Sequence, residues 1–294
     1  MINEILSNQY IFIIILMVPT ATIAGFFAGL FGIGGGLITV PFLFFIFESL
    51  NIDKTYLMHL SVGTSFAIII PTSIVSVMTH KKHNSVDSSI IRSYGIFVIS
   101  GVLLGTILAA NLKTESLLLF FAIVAFLLGV FLQNIKEKTS KLKPNFSLAP
   151  KIVLGFISGF ISAPMGIGGA VMNVPILRYF GYPINKAIGS SVAIGFIIAL
   201  FGGLGFFLTG TYLDANLPLS IGFINIPAFL IFIPITMFMA RVGANTSNNM
   251  DKSKLQRFFG FFLYVIGTLF LFRYLSIWLS RGGFSLPPPP HHIL

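Results

Sequence analysis

The chain has 294 residues, of which 55% are hydrophobic and 9% charged, and its mean hydropathy is +0.95; soluble domains run near a quarter charged, so the composition excludes a water-soluble globule and makes the bilayer the solvent. The net charge of +10 does not mark a nucleic-acid binder, because Lys and Arg sit in short loops between apolar runs and form no basic face with interleaved aromatics. Cysteine is absent, which excludes disulfide and thiolate chemistry.

In chain order, apolar stretches cover residues 10–31, 37–47, 57–78, 94–110, 116–133, 152–163, 170–180, 187–208, 217–240 and 258–279. Before Tyr10 there is Glu4 and no Lys or Arg, unlike the cationic start of a signal peptide. A helix crossing a core about 30 Å thick needs about 20 residues. Stretches 37–47, 152–163 and 170–180 are therefore read as too short to cross. Stretch 10–31 is longer, but it carries Pro19 and Gly25 and runs straight into glycines.

These pieces pair up at two glycine joints, Gly32-Ile33-Gly34-Gly35-Gly36 and Gly166-Ile167-Gly168-Gly169-Ala170. Each joint predicts a re-entrant hairpin of two short helices. Non-helical backbone at membrane depth is tolerated only when buried in protein or lining a wet cavity, so the tips are the first candidate site. The joints also repeat: the motif from Gly32 to Pro41 returns from Gly166 to Pro175, and Gly63-Thr64-Ser65 returns as Gly189-Ser190-Ser191. Three long runs follow each hairpin. The expected organisation is all-α and membrane-embedded, with a first repeat at 1–133, a basic linker at 134–150, a second repeat at 151–279 and a disordered proline-rich tail at 280–294.

Loop charge orients the chain. Lys81, Lys82 and Arg92, then Lys136, Lys138, Lys141, Lys143 and Lys151, then Arg241, Lys252, Lys254 and Arg257 mark three cytoplasmic connections, by the positive-inside rule. Glu48, Asp53 and Asp214 then fall outside. The first hairpin opens outward and the second inward, so the repeats are inverted, both termini are extracytoplasmic, and the site is expected at the repeat interface near the midplane. The membrane expected is the inner, or plasma, membrane.

Helix N-termini present unpaired N–H groups and partial positive charge, and a glycine tip lets an anion approach them without a Cβ in the way. The expected ligands are Gly34, Gly35, Gly36, Gly168, Gly169 and Ala170 through their backbone, with Thr39 and Asn173 at equivalent positions as side-chain ligands. Thr64, Ser65, Ser190 and Ser191 come next. The plain alternative is that small residues pack helices closely and that hydroxyls bond their own backbone. Arg178 either attracts the anion or snorkels to the interface, as Arg273 is expected to do; His59 and His80, at the ends of a run, are read as interfacial.

The paired motifs resemble the TauE/SafE family of membrane transporters over nearly the whole chain, with Ala170 standing where the first motif has Gly36. The resemblance implies a small oxyanion or sulfonate as substrate, with export of sulfite or an organosulfonate. All eight acids fall in loops or at the ends of runs, so proton exchange through a buried carboxylate is not expected. A negative interior alone drives a monoanion outward by about 2.3 kcal/mol per 100 mV; uniport, or coupling to Na⁺ held by backbone carbonyls, fits better. No catalytic constellation, cofactor motif or metal-ligand spacing is present, so an enzyme is not expected. A non-transporting membrane scaffold or assembly subunit is the alternative. A homodimer is an ordinary expectation without a residue-level warrant.

Overall fold

The computed structural model describes residues 2–31, 35–134, 147–246 and 252–280. Lipid offers the backbone no hydrogen-bonding partner, so each apolar run closes its own N–H and C=O groups into a helix. The result is α1 (Ile2–Phe31), α2 (Gly36–Ser49), α3 (Leu57–Lys82), α4 (Ser88–Asn111), α5 (Thr114–Asn134), α6 (Leu148–Met165), α7 (Ala170–Tyr179), α8 (Ile184–Tyr212), α9 (Ile226–Thr246) and α10 (Lys252–Ser280). Seven of these, α3, α4, α5, α6, α8, α9 and residues 260–279 of α10, are long and apolar enough to cross a membrane. The chain is a multi-pass integral membrane protein. At 1.5 Å per residue α2 is about 21 Å long and α7 about 15 Å, both short of a crossing.

Three sequence expectations need correction. Stretch 152–163 reads as too short to cross, yet α6 runs from Leu148 to Met165 and is one of the seven candidate spans. Pro150 stands in the first turn, where its missing N–H costs nothing, and Pro164 only one residue from the end. Pro19 likewise does not break α1, which passes through it. Stretch 217–240 is not one apolar run: α9 starts only at Ile226, after a two-stranded hairpin of β1 (Ser220–Ile221) and β2 (Ile224–Asn225). Asn225 accepts the Ala228 N–H at 3.0 Å and so starts α9.

Packing relies on small residues at helix crossings. α1 lies along α9, and α6 along α4. Gly155 and Gly159 of α6 face Tyr94, Phe97, Val98 and Val102, while Gly101 and Gly105 of α4 press on the backbone at Phe156 and Phe160. At the other crossing Gly25 and Gly29 meet Thr236, Ala240 and Ala244, and Gly243 meets Phe26 and Leu30. A Cβ at Gly29, Gly101, Gly159 or Gly243 would strike a carbonyl oxygen of the partner helix, which is the small-xxx-small approach that lets membrane helices touch backbone to backbone. Residue numbers rise together along both crossings, so each pair is parallel.

Helix α3 packs on α8, α5 on α10, α2 on α3 and α7 on α8. α3 is the most enclosed span and α10 the least, with Phe261, Val265, Leu269 and Phe272 of α10 facing outward. Arg273 pairs with Glu48 and ties the far end of α2 to α10. His59 and His80 are buried, 2% and 4% exposed, with Nε2 at 3.1 Å from the Ala109 carbonyl and 3.2 Å from the Gly29 carbonyl respectively.

Candidate functional site

Both short helices begin as the glycine joints dictate. Gly35 and Gly169 take left-handed conformations, with φ of 77° and 66°, and their carbonyls accept the first-turn N–H groups of Thr39 and Asn173. Gly166, at φ 64°, ends α6. These three positions need glycine, since a Cβ in that region costs roughly 1–2 kcal/mol. Gly34 lies outside the described residues.

The two joints meet. A Cβ on Gly36 would collide with the Gly166 carbonyl, and a Cβ on Gly166 would lie 2.8 Å from Val40 of α2 and 3.1 Å from Val62 of α3. Ser65 donates its hydroxyl to the same Gly166 carbonyl at 2.9 Å. Gly195 of α8 closes on the Gly168 carbonyl from the other side, where a Cβ would stand 2.7 Å away. Gly36, Thr39, Ala170 and Asn173 are all buried.

The second repeated motif divides its work residue by residue. Gly63 makes room for the Phe223 carbonyl, and Thr64 accepts the Asn225 N–H at 2.9 Å, so the β1–β2 hairpin is docked on α3. Gly189 makes room for the Ser85 carbonyl, and Ser190 accepts the Asp87 N–H at 3.0 Å, so the α3–α4 turn is docked on α8. Thr64 and Ser190 therefore face loops, while Ser65 reaches a tip. The Ser191 hydroxyl is buried without a partner.

The two equivalent polar positions differ. Thr39 donates back to the Gly35 carbonyl at 3.1 Å. Asn173 accepts at Oδ1 from Tyr94 at 2.9 Å and from Ser158 at 2.8 Å, and its Nδ2 has no partner. Ser162, a turn beyond Ser158 on α6, is also buried and unpartnered. Sequence reading missed Tyr94, Ser158 and Ser162. The four-residue spacing of the two serines puts them on one helix face, which was a usable signal; nothing in the sequence flags Tyr94.

Arg178 closes its own hairpin end, with Nη1 3.4 Å from the Tyr182 carbonyl. Asp87 caps α4 through the Ser89 N–H and pairs with Lys186 at 3.8 Å. Among the described residues, no group of three or more His, Asp or Glu side chains is placed to hold a metal ion. The centre presents backbone N–H groups at two helix starts, the Gly166 and Gly168 carbonyls, hydroxyls and one amide in a buried setting.

Residues 17–270 match the family model described as "Sulfite exporter TauE/SafE". Among curated proteins, a probable membrane transporter protein of Haemophilus influenzae is 32% identical over 86% of this chain and 96% of its own length. Another from Methanocaldococcus jannaschii is 28% identical over 90% and 98%, and one from Bacillus subtilis 23% identical over 86% and 95%. No solved structure matches the chain.

Proposed function

The chain belongs to the TauE/SafE family of membrane transporters, and on that premise we propose that it carries a small anion, sulfite or an organosulfonate, by alternating access at the meeting point of its two glycine joints. The observation that carries this reading is the contact of Gly36 with the Gly166 carbonyl: the start of α2, opened by left-handed Gly35, meets the second joint where α6 ends, three residues before left-handed Gly169 opens α7. Unpaired N–H groups and the helix dipole favour negative charge beside the starts of α2 and α7. Gly168, Gly169 and Ala170 would supply backbone contacts and Asn173 a side-chain donor, with Gly35 and Gly36 of the first joint closing the site. The Thr39 proton is engaged with Gly35, so the first joint contributes chiefly backbone.

Support for inverted repeats comes from the pattern of contacts. Exchanging α1 with α6, α2 with α7, α3 with α8, α4 with α9 and α5 with α10 turns the α1–α9 contact into the α4–α6 contact. The same exchange leaves α3–α8 and α5–α10 in place. It also maps the hairpin docked at Gly63 and Thr64 onto the turn docked at Gly189 and Ser190. Rocking one hairpin-bearing half against the other would then expose the anion alternately to the two sides. The reading places the protein in the plasma membrane with Lys81 inside. Export is driven by the membrane potential, as a uniport or with Na⁺.

The test is charge movement in proteoliposomes against sulfite, sulfoacetate, taurine, sulfate, lactate and chloride. A saturable current with counterflow for one or two sulfur anions is the expected result, and its Na⁺ dependence identifies the coupling. A non-saturating current would make the protein a channel, and silence across the panel from folded, inserted protein would turn the reading toward a scaffold.

A further inference from the structure

We propose that the anion is held at the second glycine joint alone, by donors from Asn173, Ser162 and the first turn of α7, with Tyr94 and Ser158 turning the Asn173 amide toward it. The proposal rests on the anion-transport reading above and narrows its site. Asn173 and Ser162 are both fully buried. Tyr94 and Ser158 occupy the amide oxygen of Asn173, which leaves the amide nitrogen as the free end. That nitrogen and the Ser162 hydroxyl are each unpartnered, and both border one spot: a Cβ on Gly169 would lie 3.1 Å from Asn173 Nδ2 and 3.0 Å from Ser162 Oγ, with the Ile198 Cδ1 methyl filling it, so a ligand enters by turning that flexible side-chain end aside. Gly169 is also the residue whose left-handed turn starts α7, so the first N–H groups of that helix open beside the same spot.

Buried donors without partners are unfavourable, and several aimed at one point lack a shared acceptor. A small oxyanion offers acceptors only and suits them. The first joint lacks this equipment. In the paired motifs Ala28 stands where the second half has Ser162, Ala24 where it has Ser158, and Thr39, with its proton on Gly35, where it has Asn173. The two halves are alike in backbone and unlike in side-chain donors, so one joint binds and the other closes against it.

Equilibrium binding of sulfite to the full-length protein, measured by calorimetry in detergent, separates this idea from the transport reading. A charge-assisted hydrogen bond lost without steric change should weaken sulfite binding about tenfold or more in Ser162→Ala. Asn173→Thr, which installs the first joint's own residue, should weaken it by a similar factor, while Thr39→Val should stay within about twofold. Ser162→Ala removes no bond made in the folded protein, so its result does not hinge on folding. Unchanged affinity in Ser162→Ala, equal loss in Thr39→Val, or no sulfite binding by the unaltered protein would each overturn the proposal. Sulfite that binds and responds to Ser162→Ala, yet produces no flux in liposomes, would leave the site standing and overturn the transport reading instead.

Discussion

At the residue scale, the glycines are not equivalent. Gly169 holds φ 66° with Ile198 against it, whereas the helical Gly203 of α8 would place a Cβ in ordinary contact, 3.4 Å from Phe66 Cβ. Gly169→Ala should abolish flux while the protein still inserts, because strain of about 1–2 kcal/mol adds to a collision at the joint. Gly203→Ala should instead raise thermal stability by roughly 0.5–1 kcal/mol, read from melting in detergent; a destabilised Gly203→Ala would mean that α8 needs the space. The glycines and Asn173 were legible because they recur at fixed spacing in a duplicated motif. Tyr94 was not, because its meeting with Asn173 depends on α4 lying parallel to α6, which no local pattern encodes. The carbonyl neighbours of His59 and His80 were hidden for a related reason. A polar residue at the end of an apolar run reads as interfacial, yet each lies beside a backbone carbonyl of a neighbouring segment.

At the scale of elements, the Gly-Thr-Ser repeat behaves as a loop dock. Thr64→Val leaves the Asn225 N–H buried without an acceptor, a loss of about 1–3 kcal/mol. Ser190→Ala does the same to the Asp87 N–H. Both should lower the melting temperature and speed proteolysis at the docked loop, on opposite faces of the membrane. A Thr64→Val variant as stable as the parent would show that the hairpin is held by Phe223 alone. Helix existence was legible throughout, since hydropathy and length decide it. Boundaries were less so, because prolines near helix ends look like breakers. The small hairpin at 220–225 was hidden inside what reads as one apolar run.

At the scale of the whole molecule, the positive-inside rule predicts a topology that can be checked directly, since the chain contains no cysteine. Lys54 and Lys81 are both exposed. In cells, Lys54→Cys should react with a membrane-impermeant maleimide from outside, and Lys81→Cys only after permeabilisation. The same sidedness for both would refute the odd number of crossings by α3 on which the inverted arrangement rests.

The parallel crossing of α1 and α9 also bears on how the protein is made. Gly25 and Gly29 form a face that suits the backbone of α9, yet seven helices, α2 to α8, are synthesised between them. The first helix must therefore wait in the bilayer, its glycine face against lipid, until the ninth emerges. The second half faces no such delay for α6, because α4 already exists to receive it. Assembly is thus gated by the last third of the chain: fragments 1–134 and 147–294 expressed singly should be cleared by membrane quality-control proteases, and expressed together they should rescue each other.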